Sequence, residues 1–230
     1  TVHDSGSKLI APYGGGLSEC VRLDPSGFPA SSREAGHLLS EAQYADFLQL
    51  CYGGFSPLSG FMSSSEVDAV LSDHALGEPG YWPVPIVLQV SRSVYESSSV
   101  GEPLALWRDG RPVGTVMVDE KSKLNVNQYC QRLYRTTDAK HPGVNATFRQ
   151  GEYTLAGKVA ILNDVDICDS DYVLSPRTAR AAFDARMWTR IVGFHTRNIP
   201  HLGHELLQQL AVDVAAADGL YVSPVVRKAK

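Results

Sequence analysis

The chain has little of what specialised classes of protein depend on. Only four of its 230 residues are cysteine, at Cys20, Cys51, Cys130 and Cys168. None forms a Cys-x-x-Cys pair, which argues against a zinc ribbon and fits reduced thiols in the cytoplasm. No apolar run approaches the roughly 20 residues of a membrane helix. The best candidate, "YWPVPIVLQV", is broken by Pro83 and Pro85. The opening "TVHDSGSK" lacks the charged-then-apolar pattern of a signal peptide. Neither sign of charge dominates, since 21 Lys and Arg stand against 25 Asp and Glu for a net charge of −4. No global field then draws the protein to nucleic acid or anionic lipid, and any anion it takes is held locally.

Repeats and low-complexity tracts are missing too. The 43% hydrophobic and 20% charged content is that of a globular chain with room for one large domain or two modest ones. The first 165 or so residues read as mixed α and β with many turns. Tyr44, Phe47, Leu48 and Cys51 have helical spacing behind a Ser40/Gln43 capping box, and Ser63 with Glu66 repeats that signal. Asn125 to Tyr134 carries a third short helical pattern. Val84 to Val90 alternates like a half-buried strand, and "LALWRDGRPVGTVMV" predicts a hairpin turning at Asp109-Gly110. "HPG" at 141–143 reads as a turn, and "GGFSPLSGFM" as turn chemistry with buried aromatics.

Near Asp166 the texture changes. Ser175 and Pro176 open a helix whose predicted buried stripe is Ala179, Ala182, Phe183 and Met187. Arg190 to Phe194 predicts a strand, Leu202 to Ala217 a helix with Leu206, Leu207, Leu210 and Val214 on one face, and "LYVSPVV" a second strand. Strand, helix, strand is one parallel crossover.

In open α/β sheets, ligands sit beyond the carboxyl ends of the strands, where the next helix points its free N–H groups. "HTRNIPHLGH", His195 to His204, occupies that place. Gly203 removes a Cβ where a phosphate would approach the backbone. His201 and His204 share the first helical turn, Arg197 offers a planar fork for a tetrahedral oxyanion, and Asn198 an uncharged donor. Taken singly, each has a plainer explanation. The histidine pair could be surface or metal-related, though zinc needs a third ligand. Arg197 could be a salt-bridge partner, and His195 could cap the strand.

Taken together, His195-Thr196-Arg197-Asn198-Ile199-Pro200-His201-Leu202-Gly203-His204 resembles the active-site corner of the ATP sulfurylase (sulfate adenylyltransferase) family. The His-x-Gly-His form also matches the wider nucleotidyltransferase superfamily. "LIAPYGGGL", "GGFSPLSGFM", "YWPVPIVLQV", "HPGVNATFRQGEYTLAGKV" and "LSPRTARAAFDARMW" resemble the same family in the same order across nearly the whole chain.

The resemblance implies a mixed α/β and α+β architecture. Residues 1–165 would form a β-rich, PUA-like N-terminal domain, and 166–230 the first part of a Rossmann-like, parallel-sheet nucleotidyltransferase domain. It implies ATP and sulfate as substrates, adenylyl sulfate and pyrophosphate as products, and Mg2+ carried with ATP. It also implies no protein-held metal and a homo-oligomer, while the charge balance speaks against nucleic acid and the short apolar runs against a membrane. Thr196, Arg197 and Asn198 would be catalytic, and His195, Arg197, His201, Gly203 and His204 would bind ATP and sulfate.

Three local features depart from the family pattern. His195 stands where most members have Gln, Leu202 replaces a residue that is often arginine, and Pro200 comes one residue late. The larger departure is that the sequence stops at "VVRKAK" after two strands of the second domain. Two strands and one crossover leave edges bare and faces half covered, so the chain is expected to be truncated. The rival functions are another nucleotidyltransferase acting on an organic phosphate, and a non-catalytic binding module.

Overall fold

The computed structural model describes residues 8–28, 36–77, 80–165 and 173–225. In chain order the elements are β1 (Val21–Leu23), β2 (His37–Leu38), α1 (Glu41–Tyr52), β3 (Gly60–Phe61), α2 (Ser64–Asp73), β4 (Leu88–Val90), α3 (Arg92–Ser97), β5 (Pro103–Arg108), β6 (Arg111–Met117), β7 (Glu120–Lys123), α4 (Val126–Tyr134), α5 (Pro142–Gln150), β8 (Tyr153–Leu162), α6 (Pro176–Ala185), β9 (Ile191–Thr196), α7 (Leu202–Ala215) and β10 (Gly219–Pro224). They fall into two compact units. One spans Pro12–Pro176, and the smaller comprises the described residues of Arg177–Lys230 with those of Thr1–Ala11. Cys168 and the change of texture at Asp166 lie outside the described residues.

Local chemistry starts the helices of the larger unit. Ser40 Oγ accepts from the Gln43 amide at 3.2 Å while Gln43 Oε1 accepts from the Ser40 amide at 3.0 Å, closing a capping box on α1. Ser63 and Glu66 do the same for α2, and Asn125 Oδ1 caps α4. "HPG" begins a helix instead of making a turn. Pro142 occupies the first position of α5, where its fixed φ suits a helix, and His141 Nδ1 accepts the Val144 amide at 3.4 Å.

The β5–β6 hairpin turns at Asp109 (φ 50°) and Gly110 (φ 77°), the paired positive angles of a two-residue turn that matches strand twist. β8 organises the eight-stranded sheet. Its first half pairs antiparallel with β4 and β7, and its second half with β3 and β6 antiparallel and β1 parallel. The change of partners occurs at Gly157, whose φ is 146° and where a Cβ would lie 1.7 Å from the Met117 carbonyl oxygen. Only glycine fits there. Phe47 and Leu50 of α1 are fully buried in the core with Leu88, Leu106, Val113, Val116, Leu155 and Ile161.

The segment at 84–90 differs from the expected alternating strand. Pro83 and Pro85 cannot donate to a ladder, so the regular strand is only Leu88–Val90, and all three of its residues are buried. Gln89 survives burial because its side chain donates to the carbonyls of Thr147 (3.1 Å) and Gly151, while its own carbonyl accepts from Gln43 Nε2 at 2.7 Å. Gln43 therefore caps α1 and also braces the core.

In the smaller unit β9 and β10 pair in parallel, Ile191 opposite Gly219 through Thr196 opposite Pro224, with α7 between them in sequence. Asp218 Oδ2 accepts from the Thr189 amide (2.7 Å), the Thr189 hydroxyl (2.6 Å) and the Arg190 amide (2.9 Å). Those hydrogen bonds hold its carboxyl down at about 2 and tie the start of β10 to the start of β9. Phe183 of α6 meets Trp188 at 6.0 Å and Tyr221 at 5.5 Å. The predicted stripe on α6 fails at Met187. The helix ends at Ala185, and Met187 adopts φ 57° and is 84% exposed.

Asp46 on α1 has its carboxyl pushed up to about 6 by burial. The unfolded value is near 3.9, so the folded state keeps the proton to higher pH and the penalty for ionising grows between about pH 4 and 6. Asp46→Asn is expected to raise the thermal midpoint at pH 7.5 by a few degrees, about 1 kcal/mol after allowing for partial solvation. At pH 3.5 no gain is expected, and scanning calorimetry at both values checks the sign.

Candidate active site

The corner is assembled by β9, the turn after it and the first turn of α7. β9 runs two residues past the predicted end at Phe194, which places His195 and Thr196 in the strand. Alternation puts Phe194 and Thr196 on one face and Gly193 and His195 on the other. Phe194 meets the His204 ring edge-on at 5.9 Å, so α7 packs on its face. The Gly193 and His195 face carries Tyr221 and Phe183, since Tyr221 pairs with Gly193. α6 and α7 thus cover opposite sides of the strand pair.

Thr196 is buried at 8% exposure and holds the turn. Its hydroxyl accepts from the Asn198 amide at 3.1 Å and lies 3.3 Å from the Asn198 carbonyl oxygen. His195, Arg197 and Asn198 are exposed. The Arg197 guanidinium has no hydrogen bond or ion pair with a described residue.

His201 is the N-cap of the 14-residue α7, with extended backbone at φ −143°. Its Nδ1 accepts from the Gly203 amide at 3.1 Å. The His204 Nδ1 reaches back to accept from the His201 amide at 3.3 Å, and the two ring centroids are 4.1 Å apart. Histidines here perform the reciprocal bonding that Ser and Gln perform at α1. With Nδ1 accepting, each neutral ring carries its proton on Nε2. Each can then donate a hydrogen bond without becoming charged.

This refines the expected role of the helix terminus. The Gly203 amide does not face the corner freely, because His201 takes it. A Cβ at Gly203 would come 3.0 Å from His201 Cε1, so the glycine makes room for the capping ring. The helix's positive end is passed through imidazoles, and a backbone N–H bonded to Nδ1 strengthens Nε2–H as a donor. Leu202, at 69% exposure, adds no polar group.

The structure brings His201 and His204 together against Phe194 of β9, ties Thr196 to Asn198 in the turn, and leaves His195, Arg197 and Asn198 exposed at the strand end. Phe194, which braces His204, escaped sequence reasoning. Alternation along β9 places it on the same face as Thr196, but its contact with α7 depends on how helix and strand pack. Among the described residues no group of three or more His, Cys, Asp or Glu could hold a metal ion.

α7 presents a second feature. Leu202, Leu206, Leu207, Leu210 and Val214 are 69%, 58%, 59%, 58% and 80% exposed. They do share one face, as their spacing predicts, but it is the face away from the strands.

A chain with this pairing, this strand-to-helix corner and a preceding β-rich unit has the organisation of a PUA-like domain followed by a parallel-sheet nucleotidyltransferase segment. Comparison with known proteins agrees. Residues 10–164 match the family described as PUA-like domain, and residues 170–230 match ATP-sulfurylase. A sulfate adenylyltransferase of Chloroflexus aurantiacus is 37% identical over 228 residues, 97% of this chain and 57% of the relative. Another, from Thiobacillus denitrificans, is 33% identical over 224 residues, 94% of this chain and 54% of the relative. Among solved structures, the hexameric APS kinase from Thiobacillus denitrificans superposes with a TM-score of 0.68 at 24% identity over 96% of this chain and 40% of that one, a likeness of fold. The chain belongs to the ATP sulfurylase family and spans a little over half the length of the relatives it matches.

Asparagine is among the best N-cap residues and leucine among the worst. His201→Asn is therefore expected to leave stability within about 0.5 kcal/mol, while His201→Leu loses about 1 kcal/mol by removing the cap. Urea unfolding of the two variants measures the difference.

Proposed function

We propose that this chain supplies the PUA-like domain and the anion-holding corner of a sulfate adenylyltransferase. A sulfate oxygen attacks the α-phosphorus of ATP, forming the new P–O bond of adenylyl sulfate as the bond to the β-phosphate breaks. Pyrophosphate leaves with the electron pair, and the reverse reaction uses the same groups. The observation that supports this most directly is the pair of ring-capped histidines at the start of α7, in the same short stretch as an exposed Arg197 with no hydrogen bond or ion pair among the described residues.

Sulfate is fully ionised near neutrality and needs no general base. The difficulty is to align a dianion with a polyphosphate, which calls for positioning and preorganised donors. In this reading Arg197 and His195 face sulfate, and Arg197 also faces the α-phosphoryl group. Asn198 stabilises charge developing in the transition state, and Thr196 fixes the turn. His201 and His204 donate from Nε2 to the β- and α-phosphates, with Gly203 giving His201 its place. Neutral Nε2–H donors serve here without the desolvation that a fixed charge would incur.

A magnesium ion carried on the triphosphate would supply charge neutralisation for the pyrophosphate, and no described side chain is assigned to hold it. We place the domain boundary between 165 and 166, in the gap between the two family matches and ahead of the division of compact units at Pro176, and propose a cytoplasmic protein that assembles as a homo-oligomer. No helix among the described residues is long and apolar enough to cross a membrane.

A second reading, a binding module without turnover, is favoured by the uncovered leucine face of α7. Pyrophosphate release from ATP, measured with and without sulfate, separates the two. The assay uses this chain and a protein of the relatives' length containing it. Sulfate-dependent release by the longer protein supports the enzyme, and release that ignores sulfate in favour of phosphorylated acceptors points to another nucleotidyltransferase.

In the active protein Arg197→Ala is expected to lower the rate on the order of 10² to 10³-fold, as for one member of an oxyanion-holding set. His201→Asn and His201→Leu, which differ in stability, are expected to weaken ATP alike, by about 10-fold or more. Calorimetric titration showing near-normal affinity for the Asn variant contradicts the donor role.

A further inference from the structure

The larger unit brings together two cysteines that are 31 positions apart in sequence. Cys20 immediately precedes β1, and Cys51 lies in the last turn of α1. The Cys20 amide donates to the Cys51 carbonyl at 3.0 Å, using one of the carbonyls a helix leaves unpaired at its C-terminus. The contact is anchored on either side. The Ser18 amide donates to Ser56 Oγ at 2.9 Å and the Ser18 hydroxyl to the Pro57 carbonyl at 2.8 Å, so residues 18–20 lie alongside the end of α1 and the turn after it. Both cysteines are free, Cys20 is partly exposed, and Cys51 is 3% exposed. The two thiols interact closely enough to shift each other's ionisation in opposite directions.

We propose that Cys20 and Cys51 form a site of reversible oxidation, in which a hydroperoxide converts the pair to an intramolecular disulfide. The asymmetry of the two sulfurs assigns the steps. The neighbouring Cys51 thiol holds the Cys20 thiol below its usual range, helped by the Arg22 guanidinium, while burial pushes the Cys51 thiol up. Cys20, the more exposed and more readily ionised, attacks the peroxide oxygen. With hydrogen peroxide it becomes a sulfenic acid and releases hydroxide, which leaves as water. The Cys51 sulfur then attacks the Cys20 sulfur and loses its thiol proton, the S–S bond forms, and a second water departs. Two thiols are oxidised, one peroxide is reduced to two waters, and a dithiol reductant reverses the reaction.

Backbone proximity favours the resolving step. The Cys20 amide to Cys51 carbonyl bond holds the two backbones in direct contact, and a disulfide needs its two Cα atoms within about 7 Å. Cys130 is buried and has no thiol partner among the described residues, so it has no such route. The bond would staple the start of β1 to the end of α1 and close the loop between them, which removes entropy from the unfolded chain. The proposal does not depend on the enzymatic reading of the smaller unit.

The test uses the folded, reduced chain treated with graded hydrogen peroxide, then alkylated, digested and examined by mass spectrometry. The expected product is a cross-linked pair of peptides containing Cys20 and Cys51, two hydrogens lighter than their sum and restored by dithiothreitol. It should be accompanied by a rise in thermal midpoint on the order of 5 °C. Cys51→Ala should leave Cys20 as a sulfenic acid that a dione probe labels. Cys20→Ser, on the more tolerant side, should leave Cys51 unoxidised at the same dose. The proposal is overturned if both cysteines remain alkylatable while other thiols oxidise. It is equally overturned if Cys20 passes directly to sulfinic acid in the unaltered chain, or if either pairs with Cys130 or Cys168.

Discussion

Everything at the candidate site depends on one hydrogen bond, from the Gly203 amide to Nδ1 of His201. It closes the N-terminus of α7 and fixes the ring's tautomer. It also explains the glycine, whose missing side chain leaves the space the ring fills. The reciprocal bond from the His201 amide to His204 does the same for the second ring. Helix capping and ligand donation usually compete for the same backbone groups. Here the imidazole separates them, because one nitrogen satisfies the helix and the other is left to face outward. The candidate site is thus built into the start of the helix, and in the proposed reading its donors are set before an anion arrives.

The two units solve burial differently. In the larger one β8 shares its length among five partner strands, and the aliphatic side chains of both faces are enclosed with the helices. Buried polar side chains are paired along the chain of His37, Gln43 and Gln89, while His74 Nδ1 and Trp107 Nε1 are buried without a hydrogen-bond partner among the described residues. His37 Nε2 lies 3.2 Å from Gln43 Oε1, and burial lowers the His37 pKa. In the smaller unit Asp218 and the Phe183, Trp188 and Tyr221 cluster hold two strands together, while a row of leucines on α7 faces away. An exposed apolar stripe of that width marks an interaction surface.

Much of the fold was legible in the sequence because its signals are local. A capping box needs residues three apart, a hairpin turn needs two that tolerate positive φ, and a crossover needs a change of period from two to 3.6. Those elements stand where the sequence predicts them. The misreadings share a cause. At 84–90 the alternating pattern was overridden by two prolines and by a core that could satisfy Gln89, and at Met187 the apolar side chain followed a helix that had already ended. "HPG" became a helix start because the histidine before the proline offers a ring nitrogen where a serine would offer a hydroxyl.

By itself, then, the sequence determined the order of elements, the balance of charge and the clustering of Arg197, Asn198, His201 and His204 within one short stretch, since all of these follow from neighbours along the chain. The tertiary structure decided which nitrogen of each histidine is engaged, which side of α7 meets the strands, and that Cys20 reaches Cys51. Those outcomes depend on distances between residues far apart in sequence, or on rotations about side-chain bonds. Only packing selects among them, because the local backbone permits several alternatives of nearly equal energy.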